Sequence, residues 1–286
     1  MRWGYGTNGF TSHRLHDALG IIADLGYDGV ALTLDQPHLD PFADDLAAQT
    51  AAVGRRLDAL GLDLVVETGG RYVLDVWRKH HPTLVSADGR DRRVDYLSRA
   101  IDVAADLGAD VVSFWSGTLP DGTPEDVGWE RLVAGVDAVL AHARSRGVVC
   151  AFEPEPGMHI DTVEGVLELR RRLGDPEDLR VTLDIGHIVC NEPRGMADTI
   201  ALAGGLIANV QVDDMVPDLH EHLALGDGDV DFPLALGALA RAGYCGLAAL
   251  ELPRHGHAAP LVAEKSLRFL RDAWDRSVRP AEVPVS

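Results

Sequence analysis

Four stretches of this chain are short apolar runs that each close on one oxygen-bearing side chain. They are Val148-Val-Cys-Ala-Phe-Glu153, Leu179-Arg-Val-Thr-Leu-Asp184, Leu206-Ile-Ala-Asn-Val-Gln211 and Gly246-Leu-Ala-Ala-Leu-Glu251. Runs of this length and composition read as strands buried on both faces, the habit of a parallel sheet covered by helices. After Phe152 the sequence turns to Glu153-Pro-Glu-Pro-Gly157, which reads as the loop where the strand surfaces. Chemistry is expected at that end of each strand.

The first half of the chain carries four more strand signals, over 3–7, 25–34, 62–67 and 109–115. Helices are expected near 12–25, 43–60, 91–107, 125–146, 161–173, 194–204, 231–242 and 260–275. Thr11-Ser-His, Asp161 and Asp231 serve as helix-entry signals, and Gly61 as a stop. Eight strands alternating with eight helices imply a parallel sheet, and eight units favour a closed single (β/α)8 TIM barrel over an open doubly wound sheet. Phrases such as Leu-Gly-Tyr-Asp-Gly-Val and Leu-Gly-Ala-Asp-Val-Val recur where a helix hands over to a strand. No Gly/Pro/Ser-rich linker interrupts the pattern, so residues 1–278 are expected to form one domain, with 279–286 as a loose tail. The connection over 68–88, with Lys79-His-His-Pro82, is long enough to suggest a functional loop.

A net charge of -19 disfavours nucleic acid, which is bound through basic side chains and released counterions. Cys150, Cys190 and Cys245 form an odd, scattered set without a CxxC pair, which suits a reducing compartment. The start has no signal-peptide core, and no run reaches the roughly 18 apolar residues of a membrane helix. A soluble, cytoplasmic protein without membrane partners is expected, and a homo-oligomer is left open. Gly4-Tyr-Gly-Thr-Asn-Gly9 fits GxGxxG, but too few residues precede it to launch a dinucleotide fold. Asp227-Gly-Asp-Val-Asp231 resembles the start of a calcium loop, but Phe232 and Ala238 stand where glycine and glutamate are needed. It reads as a turn in which Asp231 caps the next helix.

In a barrel all strand carboxyl ends share one rim, which gathers Glu153, Asp184, Gln211 and Glu251 from successive strands. Three carboxylates brought together without a cation repel, and at least one would protonate. A divalent ion relieves that, and an all-oxygen set with the Gln211 amide suits Mg²⁺ or Mn²⁺. The competing reading is that each residue merely caps the helix that follows.

Glu153-Pro, Leu183-Asp-Ile-Gly-His187, Asn209-Val-Gln-Val-Asp213, Gly226-Asp-Gly-Asp-Val-Asp-Phe232 and Glu251-Leu resemble the xylose-isomerase-like superfamily, in its sugar phosphate isomerase/epimerase branch. The resemblance covers nearly the whole chain and is stronger in the second half. It implies that Glu153, Asp184, Gln211 and Glu251 hold one divalent metal, that Glu153 and Glu251 also move protons, and that His187 binds substrate. Most members have histidine at the place of Gln211; the hydroxypyruvate-isomerase-like branch has glutamine. Glu155 and His159 fall on the loop where relatives place substrate contacts, or on a solvated loop. Glu67, Arg71 and Trp115 take rim positions that would shape the pocket, with the core as the other reading for Trp115. His220-Glu-His222 is read as loop residues for a second metal or a substrate hydroxyl, or as polar surface. Arg254-His-Gly-His257 is a basic rim loop suited to an anionic group, or to nothing.

The expected activity is a metal-dependent isomerase or epimerase of a small sugar or polyhydroxy carbonyl compound, acting through an enediolate. A metal-dependent dehydratase would use the same residues. A non-catalytic metabolite-binding barrel is the alternative from another class, against which intact Glu153 and Glu251 count. An endonuclease-IV-like DNA repair enzyme shares the barrel but needs more metal-binding histidines and a basic face.

Overall fold

The apolar runs pair into one closed sheet. In the computed structural model, which describes residues 1–109 and 111–278, the barrel strands are β1 (Arg2–Gly6), β2 (Gly29–Thr33), β3 (Asp63–Glu67), β4 (Val111–Phe114), β5 (Val149–Phe152), β6 (Leu179–Asp184), β7 (Ile207–Val212) and β10 (Leu247–Leu250). Round the ring the order is β1, β10, β7, β6, β5, β4, β3, β2, and every ladder is parallel. Between β7 and β10 the chain makes a separate antiparallel hairpin, β8 (Asp214–Val216) and β9 (Leu219–Leu223). The helices are α1 (Leu15–Asp24), α2 (Leu46–Leu60), α3 (Arg90–Leu107), α4 (Glu125–Arg146), α5 (Val163–Arg172), α6 (Ile185–Asn191), α7 (Met196–Ala203), α8 (Phe232–Arg241) and α9 (Ala259–Val278). The fold is thus the expected (β/α)8 barrel, and the expected tail 279–286 lies outside the described residues.

The two faces of each strand differ although both are buried. Outward residues such as Val66, Phe114, Phe152, Leu183 and Val210 join helix residues such as Val136 and Leu236 in the main core. Inward, Ala31, Val65, Val111, Ala151, Leu247 and Ala249 form a small separate cluster. Side chains two positions apart in a strand share a face, so the next inward residues on β2, β3, β4, β5 and β10 are Thr33, Glu67, Ser113, Glu153 and Glu251. The barrel therefore has an apolar floor and a polar mouth, and the switch between them occurs within a single step of the pleat.

The local signals are partly overruled. The first helix begins at Leu15 with Arg14 as its N-cap and no side-chain cap, so the expected Thr11-Ser-His entry lies ahead of it, between a 3-10 turn over Thr7–Phe10 and the helix. Thr162 rather than Asp161 caps α5, its Oγ1 accepting from the Gly165 amide at 3.3 Å. Asp231 caps α8 as expected, accepting from the Leu234 amide at 3.0 Å. Between β6 and β7 there are two helices, α6 and α7, where one was expected near 194–204. His220 and His222 lie on a strand of the hairpin rather than in a loop. Among the described residues no helix is long and apolar enough to cross a membrane, and the three cysteines are free.

Candidate active site at the barrel mouth

The polar mouth opens into a cavity of about 240 Å³. Of the residues singled out from the sequence, Glu67, Arg71, Trp115, Glu153, Glu155 and His187 line it, as do Gln211, His220, His222 and Glu251. Asp184 does not reach its surface: it is 1% exposed and sits behind His187.

Asp184 closes β6 and is at the same time the N-cap of α6. Its Oδ1 accepts from the amides of Gly186 at 2.7 Å and His187 at 3.2 Å. The capping reading is therefore correct for one oxygen. The other, Oδ2, is buried and takes no amide; its neighbour is the carboxyl of Asp213, which shares a hydrogen bond with Asp184. Gly186 permits this crowded corner, since a Cβ there would fall 1.9 Å from Asp213 Oδ1. On β7, in register with Asp184, stands Gln211. Its Nε2 donates to Glu67 Oε2 at 3.0 Å, and its Oε1 is buried without a partner. Leaving a buried acceptor unsatisfied costs about 1–3 kcal/mol, so a cation or a donor reaching the Gln211 oxygen would be stabilised there.

The carboxyl groups around them strain against one another. Burial raises Glu153 well above the carboxylate range, and the charges of Glu155, Glu251, Glu67 and Asp184 add to it. Burial and then Glu251 push Glu67 up to about 8, opposed by hydrogen bonds from Asn209 and Gln211. Burial and Glu251 likewise bring Glu155 to about 7. Asp184 goes the other way: burial would raise it, but His187, His222 and the His187 amide hold it below its ordinary value. One oxygen or nitrogen from each of Glu153, Asp184 and His187 lies within 4.8 Å of the others. The oxygen donors and their mutual repulsion suit a hard divalent cation, and two groups lie close enough together to offer ligands, Glu153 with Asp184 and His187, and Asp184 with Asp213 and His222.

Three histidines flank this cluster. The Nδ1–H of His187 donates to the Pro154 carbonyl at 3.3 Å, which fixes its tautomer, because a carbonyl only accepts. Burial keeps the ring neutral, so its Nε2 accepts from the Nε2–H of His220 at 3.1 Å. His222 bonds through Nδ1 to Asp213 Oδ2. Burial lowers His222, but the Asp213 bond and the charges of Glu251, Asp213 and Asp184 outweigh it and push it up to about 10. Glu251 accepts from Asn8 Nδ2 at 2.9 Å.

Two expected contacts are absent. His159 is turned away from the mouth and buried against α4, its ring 5.2 Å from Trp129 and its Nδ1 3.8 Å from Glu125, so it does not line the cavity. Arg254 pairs with Glu221 of the hairpin at the protein surface, and Pro253 lines the cavity instead. In both cases a partner distant in sequence captures the side chain. Trp115 is both core and wall: it is 5% exposed, meets His80 edge-on at 5.1 Å and lies under the Arg93 guanidinium at 4.9 Å. Lys79 and His80, from the long loop after β3, and Asn8 and Asp35 are cavity residues not singled out as such. For Lys79 and His80 the loop's length was the only signal, while Asn8 and Asp35 lie two residues past the ends of β1 and β2.

The family model of the xylose isomerase-like TIM barrel matches residues 19–273. This chain belongs to that family. A relative from Methanocaldococcus jannaschii, an uncharacterized protein, is 22% identical over 268 residues, covering 88% of this chain and 83% of that one. Among solved structures, an L-ribulose 3-epimerase superposes with a TM-score of 0.78 at 21% identity over 99% of each chain. The D-allulose 3-epimerase of Methylomonas sp., in complex with D-allulose, has a TM-score of 0.77 at 19% identity over 96% of this chain and 97% of its own. At such identities the likeness to these structures is one of fold.

Proposed function

We propose that this xylose-isomerase-like barrel is a divalent-metal-dependent isomerase or epimerase of a small sugar or related polyhydroxy carbonyl compound. The observation that carries the reading is the placement of Glu153 and Glu251. Both line one cavity, one residue past β5 and β10, and the two strands between them, β6 and β7, bear the Asp184 carboxylate and the partnerless Gln211 oxygen, which together with the two glutamates would hold the ion. A Mg²⁺ or Mn²⁺ ion held there would supply Lewis acidity toward neighbouring hydroxyl and carbonyl oxygens of the substrate.

The chain's own groups do the proton work. One glutamate removes the proton α to the carbonyl, and the other, approaching from another side of the cavity, returns one. Return to the opposite face of the same carbon gives an epimer; return to the neighbouring carbon gives an isomer. His187, held by Pro154, and His220 and His222 on the hairpin offer polar contacts to substrate hydroxyls. Trp115 forms a flat apolar wall, and the cavity of about 240 Å³ suits a compound of sugar size. The solved structures of sugar 3-epimerases with this fold support ketoses as the first substrates to try, and free cysteines suit a cytoplasmic setting.

The test is to incubate the Mn²⁺-loaded protein with ketopentoses and ketohexoses in D₂O. An exchanged carbon-bound proton together with an epimer or isomer is expected. Glu153→Gln and Glu251→Gln should each lower turnover by on the order of 10²–10⁴-fold while the fold persists. Near-normal turnover in either variant would sink the proton-transfer assignment. Loss of water from the substrate instead would make the protein a dehydratase.

A further inference from the structure

Glu67 crosses the barrel mouth from β3 to grip two amides on β7. Its Oε1 accepts from Asn209 Nδ2 at 2.9 Å and its Oε2 from Gln211 Nε2 at 3.0 Å. Asn209 and Gln211 are two positions apart, so both face inward. Beneath them Thr182 shares the Asn209 amide at 3.4 Å and bonds to Ser113 at 2.7 Å, which builds a polar layer inside a barrel whose floor is apolar.

We infer that Glu67 is a positioning residue that orients the Gln211 side chain, so that its amide oxygen and not its amide nitrogen faces the proposed metal. A primary amide is nearly symmetric in shape, and nothing in its size decides which end points where. Glu67 decides it, because both of its oxygens are engaged as acceptors, Oε1 from Asn209 and Oε2 from Gln211, and an accepting oxygen bonds NH₂ but repels another oxygen. With Nε2 spent on Glu67, Oε1 must face away, and it is this atom that is buried without a partner beside Asp184. A flipped Gln211 would present two N–H groups to a cation. Partners behind metal ligands are generally worth about 10–100-fold in affinity.

The inference rests on the metal reading of the site, and one calorimetric experiment separates the two. Mn²⁺ is titrated into metal-free wild type, Glu67→Gln, Glu67→Asp, Gln211→Ala, and the Gln211→Ala variant carrying either change at position 67. Glu67→Asp keeps the charge and withdraws the oxygens from reach of the amide, and it also serves should Glu67→Gln fold poorly. Both changes at position 67 should weaken Mn²⁺ binding about 10–100-fold when Gln211 is present, and by about threefold or less when Gln211 is already alanine, since acting through one residue makes effects non-additive. Equal losses in both backgrounds, or unchanged affinity in Glu67→Asp, would show that Glu67 contributes only charge and would overturn the inference while leaving the metal site standing. A wild type that binds no Mn²⁺ would overturn the metal reading and this inference together.

Discussion

At Gln211 a neutral amide oxygen stands where the family resemblance most often implies a histidine nitrogen. Imidazole favours later first-row metals, whereas an amide oxygen is harder and weaker. Gln211→His is therefore expected to shift preference from Mg²⁺ or Mn²⁺ toward Co²⁺, Ni²⁺ or Zn²⁺. Gln211→Ala should weaken binding without abolishing it, because Glu153, Asp184 and Glu251 retain most of the charge. Titration of the metal-free protein with each ion reads both effects, and identical affinities and metal order in all three proteins would remove Gln211 from the ligand set. Asp184 shows why reading single residues from sequence leaves alternatives open. Capping and ligation compete on paper, but a carboxylate has two oxygens, and here one caps α6 while the group as a whole stays within the cluster of Glu153, His187, Asp213 and His222.

Among the elements that local patterns missed, the β8–β9 hairpin carries two of the cavity's histidines. Its anchor is Asp214, 1% exposed, whose Oδ2 accepts from the Gly226 amide at 2.8 Å and whose Oδ1 accepts from Val230 at 3.0 Å and Met215 at 3.1 Å. The segment that resembles a calcium loop is thus organised by a carboxylate taking its N–H groups. Gly228 lets that carboxylate in, since a Cβ there would lie 2.4 Å from Asp214 Oδ1. Asp214→Asn keeps the shape but sets an NH₂ against backbone N–H donors. It should cost roughly 2–4 kcal/mol, in line with losing one or two buried hydrogen bonds to a charged group, measured as the shift in urea unfolding. A loss under about 0.5 kcal/mol would mean that the hairpin is held by other contacts.

For the whole molecule, the net charge of -19 governs what can approach. No cleavage of abasic duplex DNA and no appreciable duplex binding at physiological salt are expected, even with metal present. A gel shift with a nicking assay tests this, and salt-sensitive, site-specific cleavage would overturn it. The strand–helix alternation and the residue that closes each late strand are local properties, so the eight-unit barrel and the gathering of Glu153, Gln211 and Glu251 at its mouth were legible in the sequence, with Asp184 close behind. The floor-to-mouth change of polarity was legible too, in steps such as Val65 to Glu67 and Ala151 to Glu153, once the period of two is laid over an apolar run. The turning away of His159 and Arg254, the hairpin under His220 and His222, and the grip of Glu67 on Gln211 were decided only by tertiary structure. In each of these the side chain answers to a partner far along the chain: Trp129 on α4, Glu221 on β9, Asp214 beneath the turn, and an amide on the opposite wall. Strand periodicity tells which face of the barrel a residue takes, but it carries no information about which distant group closure will bring opposite it.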